Sequence, residues 1–238
     1  MVSCKEPDEC ISYGLQATSS SPSPVFSELD TVDFIGPNGI HYHALYSQRE
    51  RADVALCLFD PNKPAVDIPL YSEYFRYLGY DSFMLLASST CTDGSTLPTI
   101  VEHLVNLGYS QSRILVYAEG SSFRLPLVDG ASIRFRGAVL VAVDYASSLL
   151  KTSDITDRLN EGLGFPVLIA HGDQDQQIPI SRSFNLYEQI GSTSPKRLVI
   201  LNAIGHNDVF YSDDFSQALM GMFPSRSGLS DTLPRVKW

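Results

Sequence analysis

An aspartate and a histidine in this 238-residue chain each follow an apolar run, and together they could move a proton. The run 166–170, P-V-L-I-A, ends in His171-Gly172 and delivers Asp175 in H-G-D-Q-D. The run 197–201 is followed by N-A-I-G-H, which delivers His206. A carboxylate that accepts the Nδ1–H of an imidazole fixes its tautomer and stabilises the imidazolium, so that Nε2 can take a proton from a hydroxyl and return it. An acid followed by a histidine is also the chain order in which these groups follow a serine on a strand–turn–helix elbow. Asp173, two residues earlier, is the lesser candidate for the acid. The residues therefore pose one question: where is the nucleophile?

The run 113–118 leads into E-G-S-S-F-R-L-P, the only stretch that reads as such an elbow. An elbow asks for small residues two before and two after its apex, where the backbone is sharply turned. Counted from the strand, the frame Ala118-Glu119-Gly120-Ser121-Ser122 fits and puts Gly120, which has no nucleophilic atom, at the apex. Counted from the following helix, Ser121 is the apex, with the bulkier Glu119 and Phe123 flanking it. Ser122 is a third register, with Gly120 before it and Arg124 after it.

The elements that must position these groups alternate. Residues 31–35 and 41–46 predict a hairpin around P-N-G. Strands are expected at 54–59, 82–87, 113–118, 137–143, 166–170 and 197–201. Helices are expected at 71–78, 96–107, 181–190 and 213–223, with a short one near 125–132. Residues 147–164 read as a mixed polar segment that could form a shortened cap or lid. Alternation of this kind predicts a mostly parallel sheet wrapped by helices. The expected organisation is a polar Ser/Pro-rich segment over 1–26, one domain over 27–224 and a tail over 225–238. His41 and His43 lack a third ligand nearby, so no metal is implied. His103 is expected at the surface or in core packing, His171 to serve the strand-end turn, and Asp208 to cap the segment after it or orient the loop. Cys57, inside V-A-L-C-L-F, reads as a small core residue.

A formal net charge of −10 argues against nucleic acid or an anionic membrane surface as the partner. No apolar run approaches the ~20 residues of a membrane span, and M-V-S-C-K-E-P-D-E-C lacks a signal-peptide core. The four cysteines show no C-x-x-C spacing, which points to a reducing, cytoplasmic setting.

On G-H-N-D-V (205–209), V-L-I-A-H-G-D-Q-D with S-F-N-L-Y-E, P-L-V-D-G-A-S (126–132) and A-V-D (65–67), the chain resembles the α/β-hydrolase superfamily. Within it, the chain looks most like the branch that includes acyl-protein thioesterases. The resemblance spans about residues 30–223 and implies a three-layer α/β-hydrolase fold with an N-terminal antiparallel hairpin. The family places a proline five residues after its serine, which selects Ser121, five before Pro126. It implies a Ser121–Asp175–His206 triad, backbone N–H groups of Ser122 and Asn62 as oxyanion donors, and neither cofactor nor metal. The implied reaction is hydrolysis of an ester or thioester on a small molecule or an acylated protein. Lipidation of Cys4 and Cys10 would add a membrane association. Two positions depart from the pattern: Phe123 replaces the glycine two after the serine, and Asp60-Pro61 replaces the His-Gly before the oxyanion loop. The alternative these departures imply is a catalytically impaired member that binds a ligand or a protein.

Overall fold

Glycine at position 39, with φ of 78°, closes the turn that the P-N-G sequence predicts. It joins β1 (Asp30–Ile35) to the antiparallel β2 (His41–Ser47). The computed structural model describes residues 29–37, 39–48, 53–60, 63–64, 67–86, 96–124, 127, 133–145 and 153–224. The N-terminal segment with Cys4 and Cys10, the C-terminal tail, Asn62 and most of the helix expected near 125–132 lie outside the described residues.

Six further strands complete the sheet: β3 (Val54–Leu58), β4 (Asp81–Leu85), β5 (Ile114–Glu119), β6 (Gly137–Val141), β7 (Val167–Gly172) and β8 (Lys196–Leu201). The sheet order is β1-β2-β4-β3-β5-β6-β7-β8; β1, β2 and β4 pair antiparallel in turn, and every pair from β4 to β8 is parallel. Strands β3 to β7 are buried at every residue, which is why they read as continuous apolar runs. The chain order reverses between the adjacent β3 and β5, and a crevice at their carboxyl ends is the natural place for a ligand in such a sheet.

Among the described residues, five α-helices cover the sheet: α1 (Ile68–Tyr77), α2 (Thr96–Asn106), α3 (Ser153–Glu161), α4 (Ser181–Gln189) and α5 (Asp213–Met222). Alternate strand residues face opposite sides. Ala55, Cys57, Leu115 and Tyr117 pack with Phe75 of α1 and Phe215 of α5. Val54, Leu56, Val116 and Ala118 belong to the core of the other face, with Leu97, Ile100 and Leu104 of α2, Leu159 of α3 and Leu186 of α4. The result is the three-layer α/β arrangement, with Cys57 in its core as expected.

The largest departures from the sequence reading lie in two helices. Helix α1 begins at Ile68 rather than 71, because Pro69 sits in the first turn, where its missing N–H costs nothing. The segment expected to be mixed contains a regular helix, α3. Leu159 anchors it in the core, and the carbonyl of Leu159 accepts a bond from Gly191 N at 2.5 Å. No helix among the described residues is long and apolar enough to cross a membrane.

Candidate active site at the carboxyl ends of the strands

Strand β7 can end against the histidine loop because Gly172 has no side chain; a Cβ there would lie 2.1 Å from the carbonyl oxygen of Ile204. Asp175 comes next, in a turn that its own carboxylate organises. Its Oδ1 accepts from Gln177 N at 2.8 Å and Ile178 N at 2.9 Å. Its Oδ2 lies 2.7 Å from His206 Nδ1, with the Asp175 side chain fully buried and that of His206 11% exposed. The structure therefore brings the expected acid and histidine together and points Nδ1 inward. Nε2 of His206 has no hydrogen bond among the described residues. Asp173 does something else: its Oδ1 accepts from Ala203 N at 2.7 Å and steadies that residue at φ of 59°. Asp208 precedes the 3-10 turn Val209–Tyr211 without making a side-chain cap bond.

His171 is more than a turn residue. It is fully buried, its Nε2 lies 3.0 Å from the carbonyl of Ile178 and 3.3 Å from Asp175 Oδ2, and its Nδ1 lies 2.7 Å from Ser183 Oγ. Burial pushes its pKa below the ordinary histidine value. The sequence carried a partial signal, since His171 stands four residues before Asp175; nothing in it pointed to Ser183 on α4.

The other half of the site is built differently. Strand β5 runs to Glu119 and breaks into a 3-10 turn, Gly120–Phe123. Gly120 has φ of 54°, the left-handed backbone that a sharp turn after a strand requires. Gly120 thus stands at the apex, as in the register counted from the strand. A Cβ at this position would meet Asp60 Oδ2 at 2.0 Å and Cγ at 2.9 Å, so the Asp60 carboxylate fills the space over the apex. Ser121 comes one residue later and is exposed; its hydroxyl makes no hydrogen bond with His206 among the described residues. Ser122 is buried, and its hydroxyl donates to the carbonyl of Phe59 at 2.7 Å.

Beneath the apex lies a polar network that the sequence did not announce. Oε1 of the buried Glu119 accepts from the hydroxyls of Tyr71 and Tyr117, each at 2.6 Å, and from Lys63 Nζ at 3.3 Å. Lys63 also donates to Tyr71 Oη and sits 4.7 Å from the centre of that ring. Burial, reinforced by the Glu119 charge, drives the Tyr71 and Tyr117 phenols well above their ordinary pKa, so they remain donors. The network fastens the loop after β3, the helix α1 and the end of β5 to one carboxylate oxygen. Beside it opens a cavity of about 120 Å³ lined by Lys63, Asp67, Tyr71, Asn207, Asp208, Phe210 and Tyr211.

Of the remaining histidines, His41 is exposed. His43 Nδ1 pairs with Asp33, and His103 stacks on Phe34 with ring centres 4.0 Å apart. Among the described residues, no group of three or more His, Cys, Asp or Glu could hold a metal ion.

No protein-family model matches the chain, and no curated protein matches its sequence. Solved structures do resemble it. An esterase domain from a Rhodothermus marinus protein superposes with a TM-score of 0.63 at 14% identity, covering 82% of this chain and 95% of that one. Esterase 2 of Thermogutta terrifontis, in a form phosphorylated by paraoxon, gives 0.63 at 15% identity over 87% of this chain and 99% of that one. The α/β hydrolase GrgF from Penicillium sp. sh18 gives 0.61 at 15% identity over 82% of this chain and 100% of that one. At such identities the likeness is one of fold: the chain has the α/β-hydrolase fold.

Proposed function

We propose that this chain is a binding member of the α/β-hydrolase fold, one that keeps the acid–histidine pair without a serine nucleophile at its elbow. One observation carries the reading: the apex residue is Gly120, at φ of 54°, and the carboxylate of Asp60 occupies the volume a nucleophilic side chain would need. A carboxylate there would also repel a developing oxyanion, the reverse of the donors that acyl transfer requires. His206 Nε2, held by Asp175, remains as a hydrogen-bonding group for a small ligand or for a segment of a protein. The cavity of about 120 Å³ has room for only a few ligand atoms, against the ~300–1,000 Å³ of common small-molecule clefts.

A second reading is hydrolysis of an ester or thioester, favoured by the 2.7 Å contact between His206 Nδ1 and a fully buried Asp175 carboxylate. In it, Ser121 Oγ attacks the acyl carbon while His206 Nε2 takes the hydroxyl proton, and the imidazolium then protonates the leaving alcohol or thiol. Water attacks the acyl-serine by the same route in reverse. The backbone N–H groups of Ser122 and Asn62 would hold the oxyanion. The esterase architecture of the similar structures supports this reading, and an acylated protein with membrane attachment through Cys4 and Cys10 is its most specific form.

A fluorophosphonate probe separates the two. The folded wild-type protein is expected to remain unlabelled and to hydrolyse p-nitrophenyl acetate no faster than Ser121→Ala. Stoichiometric labelling that Ser121→Ala abolishes would overturn the binding reading and establish the second one.

A further inference from the structure

The carboxylate of Asp175 sits between two imidazoles, and only one of them is accounted for by the pairing with His206. The other, His171, approaches the same oxygen, Oδ2, from inside the core at 3.3 Å. Its Nε2 also lies 3.0 Å from the carbonyl of Ile178, which can only accept. Nε2 must therefore carry the hydrogen, shared between Ile178 O and Asp175 Oδ2 as a three-centre bond. That leaves Nδ1 as an acceptor, matched by the Ser183 hydroxyl at 2.7 Å. Each contact in the line Ser183–His171–Asp175–His206 then has a consistent donor and acceptor.

We propose that His171 is a positioning residue: a neutral Nε2–H donor that shares Asp175 Oδ2 with His206 and so sets how strongly the acid holds the histidine. Orientation of Asp175 does not depend on it, because Oδ1 is already fixed by the N–H groups of Gln177 and Ile178. Removing His171 should therefore act on hydrogen-bond strength rather than on geometry. With its competing donor gone, Oδ2 becomes a better acceptor and the bond from His206 Nδ1–H tightens. Asp175 and His206 are the titratable groups that bear electrostatically on His171, and burial keeps its ring neutral. The inference rests on the Asp175–His206 pair and not on whether the site turns over a substrate.

The test is histidine-selective ¹⁵N NMR on the full chain. Wild type is expected to show His171 as the neutral Nε2–H form at neutral pH. His171→Leu is expected to move the His206 Nδ1–H proton downfield, whereas His171→Gln, whose amide nitrogen can replace Nε2–H, leaves it in place. Finding His171 charged or as the Nδ1–H form overturns the proposal. So does an unchanged His206 proton in a folded His171→Leu protein. Should His171→Leu fail to fold, the wild-type tautomer and the His171→Gln spectrum decide the matter alone. Fluorophosphonate labelling of Ser121 would change the functional reading and leave these spectra as expected.

Discussion

At the end of β7, both oxygens of Asp175 are engaged, two by two: backbone N–H groups on one side, two imidazoles on the other. At the end of β5, the apex carries no side chain, and a carboxylate from the neighbouring loop lies over it. The two ends lie on the carboxyl edge of one sheet, with β6 between them, yet only the first is arranged for proton transfer. On the binding reading proposed above, the acid–histidine pair serves a purpose other than turnover. Asp175 ties the loop after β7 to the loop after β8, so the pair also holds two loops together. Its presence alone therefore does not identify a working triad.

The sharpest way to break the contrast is to repair the poor half. Gly120→Ser alone should stay unlabelled by a fluorophosphonate, since its Cβ would collide with Asp60 Oδ2 at 2.0 Å. Adding Asp60→Gly empties that volume and should yield a protein labelled at position 120, a change from no signal to a stoichiometric one. The left-handed backbone costs the new side chain about 1–2 kcal/mol. Absence of label from a folded double variant would mean that His206 does not reach the apex.

A smaller but still large effect lies beneath the elbow. Glu119→Ala strands the Lys63 ammonium, whose side chain is 2% exposed, among Tyr71 and Tyr117. Breaking a buried pair from one side costs about 3–5 kcal/mol, which urea unfolding would read as a lowered midpoint. Replacing both members, Lys63→Met with Glu119→Gln, should recover much of the loss. A loss below ~1 kcal/mol for Glu119→Ala would show that water enters the network.

The contrast also explains how far the sequence could be read. The succession of strands along the chain is legible in apolar runs separated by turns, and Asp175 and His206 are legible because each stands just after such a run. The elbow left three registers open because neither serine has small residues both two before and two after it; the backbone angle at Gly120 and the carboxylate of Asp60, brought in from the end of β3, distinguish them. Lys63 and Glu119 are 56 residues apart, so their pairing is visible only when β3 and β5 are placed side by side. His171 was read as turn because its partner Ser183 sits on α4. The regular helix α3 is obscured in the sequence by polar residues, of which Asp157, Asn160 and Glu161 are exposed.

On the intact half, acid should loosen the fold. His171 is held neutral in the folded protein by burial, so its folded pKa is below the unfolded value. The unfolded chain then binds a proton that the folded chain does not, and stability rises with pH. Stability is therefore lost as pH falls from about 6.5, the ordinary histidine value, toward the depressed one. His103, lowered by burial as well, contributes in the same direction. Thermal midpoints taken from pH 7 to 5 should fall in wild type, and His171→Gln should flatten part of that slope. An unchanged slope would mean that His171 does not carry the acid sensitivity.

The smallest expected effects separate the two serines of the turn. Ser122→Ala removes the 2.7 Å bond to the Phe59 carbonyl and leaves that buried acceptor unmatched, a loss of about 1–3 kcal/mol. Ser121 is exposed and ties nothing down, so Ser121→Ala should fall within ~0.5 kcal/mol of wild type. The order matters more than either value. A serine built to act as nucleophile must keep its hydroxyl unspent, and Ser122 has spent its own on holding the β3 loop against the elbow. Equal losses for the two variants in denaturant titrations would mean that Ser121 is engaged as well, and that the turn has closed further over the apex than its backbone angle implies.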